Sequence, residues 1–127
     1  MLNFGDGRRI FLARAATDMR KSFDTLAALV ANDLGEDPVS GDIFVFVSRS
    51  RERVKILVWD ASGFWLCEKR LEAGRFAMPQ ESVVDDGRPR VQLSPAQIHM
   101  LLEGINVHRA TYHRHYRHPS SQPKAET

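Results

Sequence analysis

The sequence predicts an α+β fold: an antiparallel β-meander of about four to five strands, with one long N-terminal helix and a short C-terminal helix. Two observations predict it. Apolar residues recur at helical spacing over residues 18–34, and short apolar runs separated by brief polar connections occupy residues 42–78. Because parallel pairing needs a crossover of about a dozen residues or more, these brief connections predict antiparallel pairing and exclude a doubly wound nucleotide-binding sheet.

The N-terminal region is predicted to form a short strand followed by the long helix. Residues 9–13 contain an apolar run bounded by polar and glycine residues, which is typical of a strand. Thr17 can act as an N-cap, Asp18 favours the positive end of the helix dipole, and Gly35 fits a left-handed C-cap. The helix is therefore predicted over residues 18–34. Its apolar stripe consists of Met19, Phe23, Leu26, Ala27, Val30 and Leu34.

The meander is predicted from three strands and a shorter fourth. Residues 42–47 are apolar on both faces, which is typical of a central strand. Residues 53–60 and 64–71 follow, joined by a tight loop in which Gly63 can adopt a positive φ. Residues 75–78 form the short strand. We expect the strand near the N-terminus to join this sheet and the long helix to cover one face.

The C-terminal part of the domain contains one short helix after a polar linker. The linker is predicted over residues 80–90. Ser94 is a predicted N-cap, with Pro95 in the first helical position and Gln97 closing a capping box. The resulting helix, residues 95–104, is expected to cover the other face of the sheet or one of its edges.

Length and composition predict one folded domain and a tail. A chain of 127 residues can bury a core without a metal or a disulfide. We assign residues 1–105 to a single α+β domain. Residues 106–127 are basic and rich in His and Arg, and we expect them to be disordered.

The cellular compartment is predicted from what the sequence lacks. No apolar run is long enough to span a membrane, and the N-terminus lacks the pattern of a signal peptide. The single Cys67 lies in an apolar run and is interpreted as a small strand residue in a reducing compartment. We expect a cytoplasmic protein.

Basic residues are clustered although the net charge is only +2. Fourteen of the eighteen basic residues are Arg, which suits bidentate contact with phosphate or carboxylate. Residues 49–75 hold seven basic residues against four acidic ones, and residues 106–118 hold three Arg, four His and no acid. Such clusters are typical of phosphate-binding surfaces and also of solvated surfaces.

The first candidate site is the start of the long helix. Arg20 and Lys21 lie in its predicted first turn, where positive charge opposes the helix dipole. One interpretation is an intrahelical pair between Arg20 and Asp24. The other is that Arg20 and Lys21 contact a phosphate or an acidic group of a partner.

The second candidate site lies on the meander. Basic side chains near two Trp residues on a twisted sheet could combine contact with a nucleic-acid backbone and stacking on bases. The alternative is a charged, solvent-facing hairpin with the Trp residues in the core. The basic residues are Arg49, Arg51, Arg53, Lys55, Lys69, Arg70 and Arg75, and the aromatic residues are Trp59 and Trp65.

No enzyme, cofactor or metal site is predicted. His113 and His115 have a spacing that could bind a transition metal, but no thiolate or acid completes a site. Catalysis by metal ions needs several converging carboxylates. The acidic residues considered for this role have simpler functions in caps, turns and ion pairs; they are Asp18, Asp24, Asp60 and Glu68.

Three blocks of the sequence resemble one known family. The first block is residues 17–30, which begin Thr17-Asp18-Met19-Arg20-Lys21. The second spans residues 37–46, and the third spans residues 53–76, while residues 93–105 are similar to the usual C-terminal segment. These blocks are similar to the TnpB, or Orf2-like, accessory proteins of insertion-sequence family sixty-six. The chain departs from the family pattern at Glu68 and at Val58-Trp59, where aromatic residues are common.

The resemblance implies a bacterial mobile element in which a separate, larger transposase is assisted by this small protein. It implies a non-catalytic accessory role in transposition and DNA recombination, with contact to DNA, help in assembling the transposase complex, or both. The implied partners are the transposase, other accessory proteins of the element, and DNA, which would place the protein at the nucleoid. The alternative is a protein-interaction adaptor that binds no nucleic acid.

Overall fold

A mixed β-sheet with a helix on each face forms the part of the chain that the computed structural model describes, residues 3–79 and 87–104. The elements in chain order are β1 (Ile10–Ala13), α1 (Phe23–Leu29) with a π-helical continuation (Val30–Leu34), β2 (Ile43–Val47), β3 (Arg53–Asp60), β4 (Gly63–Arg70), β5 (Arg90–Leu93) and α2 (Pro95–Glu103). The strands lie in the order β4-β3-β2-β1-β5. Neither helical segment in these two ranges is long and apolar enough to cross a membrane.

The expected antiparallel meander is wrong for the sheet as a whole, because β1 and β2 pair in parallel. Ile10 lies opposite Ile43, and Leu12 lies opposite Val45. The segment between these strands contains α1 and is long enough to return the chain to the start of the next strand, as parallel pairing requires. Antiparallel pairing joins β2 to β3, β3 to β4, and β1 to β5. The sheet is therefore mixed.

The predicted long N-terminal helix is also wrong. Helix α1 begins at Phe23 and has 7 α-helical residues, followed by 5 π-helical ones. Ser22 is its N-cap, and the Ser22 N–H donates to Thr25 Oγ1 (2.8 Å). Thr17 is buried, and its N–H donates to the Val47 carbonyl (2.9 Å), so residues 17–21 are held against the end of β2. Tertiary contacts of this segment override the local capping signal.

Two apolar cores lie on opposite faces of the sheet, because successive residues of a strand point to opposite sides. Phe44 and Phe46 of β2 belong to the core on the α1 side, and Val45 belongs to the core on the α2 side. The residues that α1 and its continuation bury against the sheet are Leu26, Val30 and Leu34. Those of α2 are Ile98 and Leu101. Both faces of β2 are covered, as predicted for a central strand.

The short strand predicted over residues 75–78 is not a strand of the sheet. Arg75 forms an isolated bridge, and the Phe76 N–H donates to the Arg51 carbonyl (2.6 Å). The Phe76 side chain is fully buried in the core on the α2 side. This segment therefore crosses the end of the sheet beside the β2–β3 turn.

The predicted capping box of α2 is confirmed. Ser94 Oγ accepts from the Gln97 N–H (3.1 Å), and Gln97 Oε1 accepts from the Ser94 N–H (2.8 Å). The helix ends at Gly104, with φ 78° and ψ 168°. Of the predicted linker, only residues 87–90 are described, and the predicted tail, residues 106–127, lies outside the described residues.

Replacement of Gly104 by Ala should lower the free energy of unfolding by about 2–3 kcal/mol. The backbone of Gly104 lies in a region that L-residues rarely adopt, and an added Cβ would lie 2.8 Å from Leu71 Cδ1 and 3.3 Å from the Arg75 carbonyl oxygen. Urea unfolding measures the loss. Gly35→Ala is the control, because Gly35 has φ 69° but open space around it, and should lose only about 1 kcal/mol. Equal losses would contradict the packing argument.

Candidate nucleic-acid interface

The topology collects several connections of the chain at one end of the sheet. Strands β1 and β2 end there, β3 begins there, β4 ends there and β5 begins there. We call this region the basic end and define it as the described residues 14–22, 48–53, 69–76 and 87–90. These residues include eleven basic and three acidic side chains, whereas residues 6–9, 36–42 and 60–63 at the opposite end include two basic and five acidic ones.

Eight of the nine predicted basic site residues lie at the basic end: Arg20, Lys21, Arg49, Arg51, Arg53, Lys69, Arg70 and Arg75. The fold adds Arg14, Arg88 and Arg90, which lie outside the clusters predicted from the sequence. The Arg90 guanidinium pairs with Glu36 (2.8 Å), and both side chains are largely buried. The proximity of the three arginines depends on β5 lying beside β1, and Arg14 N–H donates to the Pro89 carbonyl (2.9 Å). No local signal in the sequence could have found this pairing.

The side chains at the basic end fall into two groups according to their partners. Among the paired ones, Arg20 binds Asp18, Arg53 binds Glu68, and Arg70 binds Glu72. Lys69 Nζ donates to the Leu102 carbonyl (2.9 Å) in the last turn of α2. The unpaired ones form no side-chain hydrogen bond or ion pair with any residue in the described ranges; they are Lys21, Arg49, Arg51 and Arg75.

Arg51 occupies a backbone conformation that favours glycine. Its φ is 62°, its N–H donates to the Ser48 carbonyl (2.9 Å), and its carbonyl accepts from Phe76. These contacts fix the turn and leave the side chain exposed. An arginine at a left-handed position costs about 1–2 kcal/mol relative to a relaxed conformation. Such strain is often found where the side chain has a function.

Lys55, the ninth predicted site residue, is buried with 8% of its surface exposed. Its Nζ donates to the Met19 carbonyl (2.8 Å) and to the Lys21 carbonyl (2.6 Å). The ammonium therefore ties the turn that carries Arg20 and Lys21 to strand β3. The structure gives Lys55 a structural position behind the basic end, where its charge does not face solvent.

Arg20 pairs with Asp18 and not with Asp24, because residues 18–21 form a turn outside the helix. Arg20 Nε and Nη2 donate to the two Asp18 carboxylate oxygens at 2.7–3.1 Å. The Arg20 N–H also donates to Asp18 Oδ1 (2.9 Å). Hydrogen bonds from Arg20 lower the pKa of Asp18 to about 2, and the bonds to Asp18 raise the pKa of Arg20.

Trp59 and Trp65 lie at the opposite end of the sheet, beside the β3–β4 loop. The Trp59 and Phe64 rings meet edge to face with centroids 5.0 Å apart. Trp65 is 50% exposed, and its Nε1 donates to Asp60 Oδ2 (3.2 Å). The structure therefore does not bring the two Trp residues and the basic residues into one surface.

The acidic residues of the described ranges form no group of three or more ligands that could hold a metal ion. The Asp60 carboxylate accepts from Trp65 Nε1, the Asp60 backbone carbonyl accepts from the Ser62 N–H, and Glu68 binds Arg53. The predicted pair His113 and His115 lies outside the described residues.

Comparison with known proteins assigns the chain to a family. Residues 8–112 match the family described as IS66 Orf2 like protein. The chain belongs to this family. It is 37% identical over 106 residues to the uncharacterized protein y4jC of Sinorhizobium fredii (strain NBRC 101917 / NGR234), covering 84% of this chain and 86% of that protein. It is 39% identical over 106 residues to the uncharacterized protein y4hO of the same strain, covering 84% and 88%.

No solved structure shows a significant match to the chain. The family membership confirms the resemblance described from the sequence blocks, and it identifies an insertion-sequence accessory protein.

Lys55→Met should lower the free energy of unfolding by about 1–3 kcal/mol, because two backbone carbonyls of a half-buried turn lose their donor. Urea unfolding followed by circular dichroism measures the change. Lys21→Met is the matched control, since the Lys21 side chain bonds no described residue, and it should change stability by less than about 0.5 kcal/mol. Equal effects of the two variants would show that the Lys55 hydrogen bonds contribute nothing.

The Asp18 carboxyl should titrate at about pH 2 in the folded protein. Its pKa is lower folded than unfolded, so the pair stabilises the fold above the ordinary carboxyl pKa and ceases to do so as the pH falls through about 2. NMR titration of the Asp18 side chain measures the midpoint. In Arg20→Ala the midpoint should rise towards the ordinary aspartate range, near 3.9. An unchanged midpoint in that variant would contradict Arg20 as the cause.

Proposed function

We propose that this protein is a non-catalytic accessory protein of insertion-sequence transposition that contacts the DNA backbone through the basic end. The observation that supports the proposal is that four separate connections bring eleven basic residues to one end of the sheet. The Arg90 side chain, which is 11% exposed in an ion pair with Glu36 (2.8 Å), is not part of the proposed contact surface. A single charged hairpin would have an ordinary explanation as solvated surface. Four connections brought together by the fold make a surface large enough for several phosphates.

Four of these side chains are available without breaking a contact to a described residue: Lys21, Arg49, Arg51 and Arg75. The Arg20, Arg53 and Arg70 side chains are 91%, 46% and 68% exposed within their ion pairs. Exposed pairs of this kind are weak. A phosphate can therefore replace the carboxylate partner, and the planar guanidinium suits a phosphate contact of this type.

The chemistry of the basic end favours backbone contact over sequence recognition. Phosphate contacts fix the position of a protein on DNA but carry no sequence information. Trp59 and Trp65 lie at the other end, so stacking on bases does not belong to the proposed contact. We therefore propose that the choice of DNA sequence belongs to the transposase, and that this protein helps assemble the transposase complex on DNA in the bacterial cytoplasm, at the nucleoid.

A protein-interaction adaptor without DNA contact is the second candidate function. The half-exposed Trp65 favours it, because exposed aromatic side chains are typical of protein interfaces. Leu57 and Trp59 lie on the α1 side of the sheet, whereas Trp65 pairs with Val58 on the α2 side, so Leu57 and Trp59 do not extend an apolar patch around Trp65.

Binding to duplex DNA that carries the terminal sequences of the element should weaken steeply with salt, with a slope of log K against log salt of about −0.9 for each phosphate contacted. Arg49→Ala should reduce the slope by about one contact. Fluorescence anisotropy titrations at several salt concentrations measure the slope.

Arg8→Ala is the matched control for this experiment. It also removes one arginine, but Arg8 lies at the opposite end of the sheet, beside Asp6 (3.2 Å), and the slope should not change. Absence of binding at low salt, or equal effects of the two variants, would exclude the basic end as the DNA contact. If the protein binds no DNA but still associates with the transposase, the adaptor is the favoured function.

A further inference from the structure

The outer edge of β4 presents backbone groups that the described chain does not pair. β4 is the last strand in the sheet order. Asp60 lies opposite Gly63 across a two-residue loop, so the backbone N–H and C=O groups of these two residues bond to each other. From this pair onward, every second pair along β3 and β4 is hydrogen-bonded. The N–H and C=O groups of Gly63, Trp65, Cys67 and Lys69 therefore face β3. Those of Phe64, Leu66, Glu68 and Arg70 face outward, and no residue of the described ranges bonds to them.

The first five residues of β4 lack the features that usually protect an exposed edge from pairing, and charged residues follow only in its last three positions. Its register with β3 runs through eight pairs without a bulge, and it contains no proline. The first five residues, Gly63-Phe64-Trp65-Leu66-Cys67, carry no charge, and Trp65 is 50% exposed. Natural edge strands that stay unpaired are usually short, bulged, or interrupted by charge or proline. The opposite edge, β5, has only 4 residues.

We propose that β4 pairs antiparallel with β4 of a second copy of this chain, about a two-fold axis at Cys67, to form one continuous sheet across a homodimer. This register places Phe64 opposite Arg70 of the second copy, and Trp65 opposite Lys69 of the second copy. Each aromatic ring thus meets a cation, a favourable contact. Cross-strand pairs of this kind are the unit of sheet stabilisation.

The distribution of charge along β4 favours a second copy as the partner. The aromatic residues lie in the first half of the strand and the charged residues Glu68, Lys69 and Arg70 in the second half. A two-fold axis brings the first half of one copy against the second half of the other, so no like charges lie directly opposite each other. Parallel pairing in register would place Glu68 opposite Glu68 and Arg70 opposite Arg70, which is unfavourable.

The dimer would have a particular arrangement of its two basic ends. Antiparallel strands make the two copies point in opposite directions, so the basic ends lie at opposite ends of the dimer. This step rests on the proposed function: if each basic end contacts DNA, one dimer binds two separate segments of DNA, one at each end. The dimer itself does not depend on DNA binding, and its test does not use DNA.

The mass of the protein in solution tests the proposal. Sedimentation velocity should give twice the 14.4 kDa of one chain at high micromolar concentration, with dissociation on dilution. Glu68→Pro removes the outward N–H of position 68, which the proposed dimer uses and the pairing with β3 does not. The mass should therefore fall to that of one chain. Glu68→Ala is the control: it loses the same carboxylate but keeps the N–H, and should stay dimeric. A single-chain mass for the unchanged protein at every concentration, or a dimeric Glu68→Pro, would overturn the proposal.

Amide hydrogen exchange in the unchanged protein provides a second measurement that needs no variant. The outward N–H groups of Leu66 and Glu68 should be protected at high concentration and should exchange faster on dilution. The inward N–H groups of Trp65 and Lys69 should be protected throughout. Fast exchange of the outward groups at every concentration would overturn the proposal, and would leave β4 open for a strand of another protein.

DNA binding by Glu68→Pro separates this inference from the proposed function. Glu68→Pro and its control Glu68→Ala both release Arg53 from its ion pair and keep every cation of the basic end, so one chain of either variant should bind DNA with the same salt slope. Loss of the dimer with retained DNA binding supports both proposals. A dimer that binds no DNA would support the inference and overturn only the proposed function.

Discussion

Strand β2 is apolar on both faces, and this constraint determines much of the fold. Phe44 and Phe46 must be covered on one side, and Ile43, Val45 and Val47 on the other. Helix α1 meets the first need as the crossover between β1 and β2, and α2 meets the second. Because the crossover makes β1 and β2 run in the same direction, both strands end on the same side of the sheet. The parallel pair thereby brings the segment after β1, with Arg20 and Lys21, next to the β2–β3 turn.

The parts of the fold that depend on local signals could be predicted from the sequence, and the parts that depend on distant contacts could not. The alternation and short connections of β2, β3 and β4 predict their antiparallel pairing, and Ser94 with Gln97 predicts the start of α2. The direction of β1 depends on where α1 packs, which no local pattern encodes. The start of α1 was misplaced because Thr17 and Asp18 have the chemistry of a helix start. The Met19 and Lys21 carbonyls, which a helix starting there would use as acceptors, accept from the Lys55 ammonium instead.

The candidate site likewise has features that the sequence predicts and features that depend on distant contacts. Charge clustering predicts candidate cations but not which of them are unpaired: in the described ranges only Lys21, Arg49, Arg51 and Arg75 of the nine predicted basic residues lack a side-chain partner. The position of Lys55 could not be predicted, because a lysine in an alternating strand looks the same whether it faces solvent or two carbonyls. The separation of Trp59 and Trp65 from the arginines depends on strand direction. Residues 53–60 carry basic residues at one end and Trp59 at the other, so a single strand spans both surfaces.

Gly104 fixes where the remainder of the chain is attached. It lies next to Leu71 and Arg75, so residues 105–127 start from the basic end whatever conformation they adopt. No residue of this segment can be farther from Gly104 than roughly 3.6 Å for each intervening position. The tether therefore limits how far the three arginines within residues 106–118 can lie from a polyanion bound at the basic end. A contact by one of them would be intramolecular, and its contribution would depend on the length of the tether more than on its own affinity.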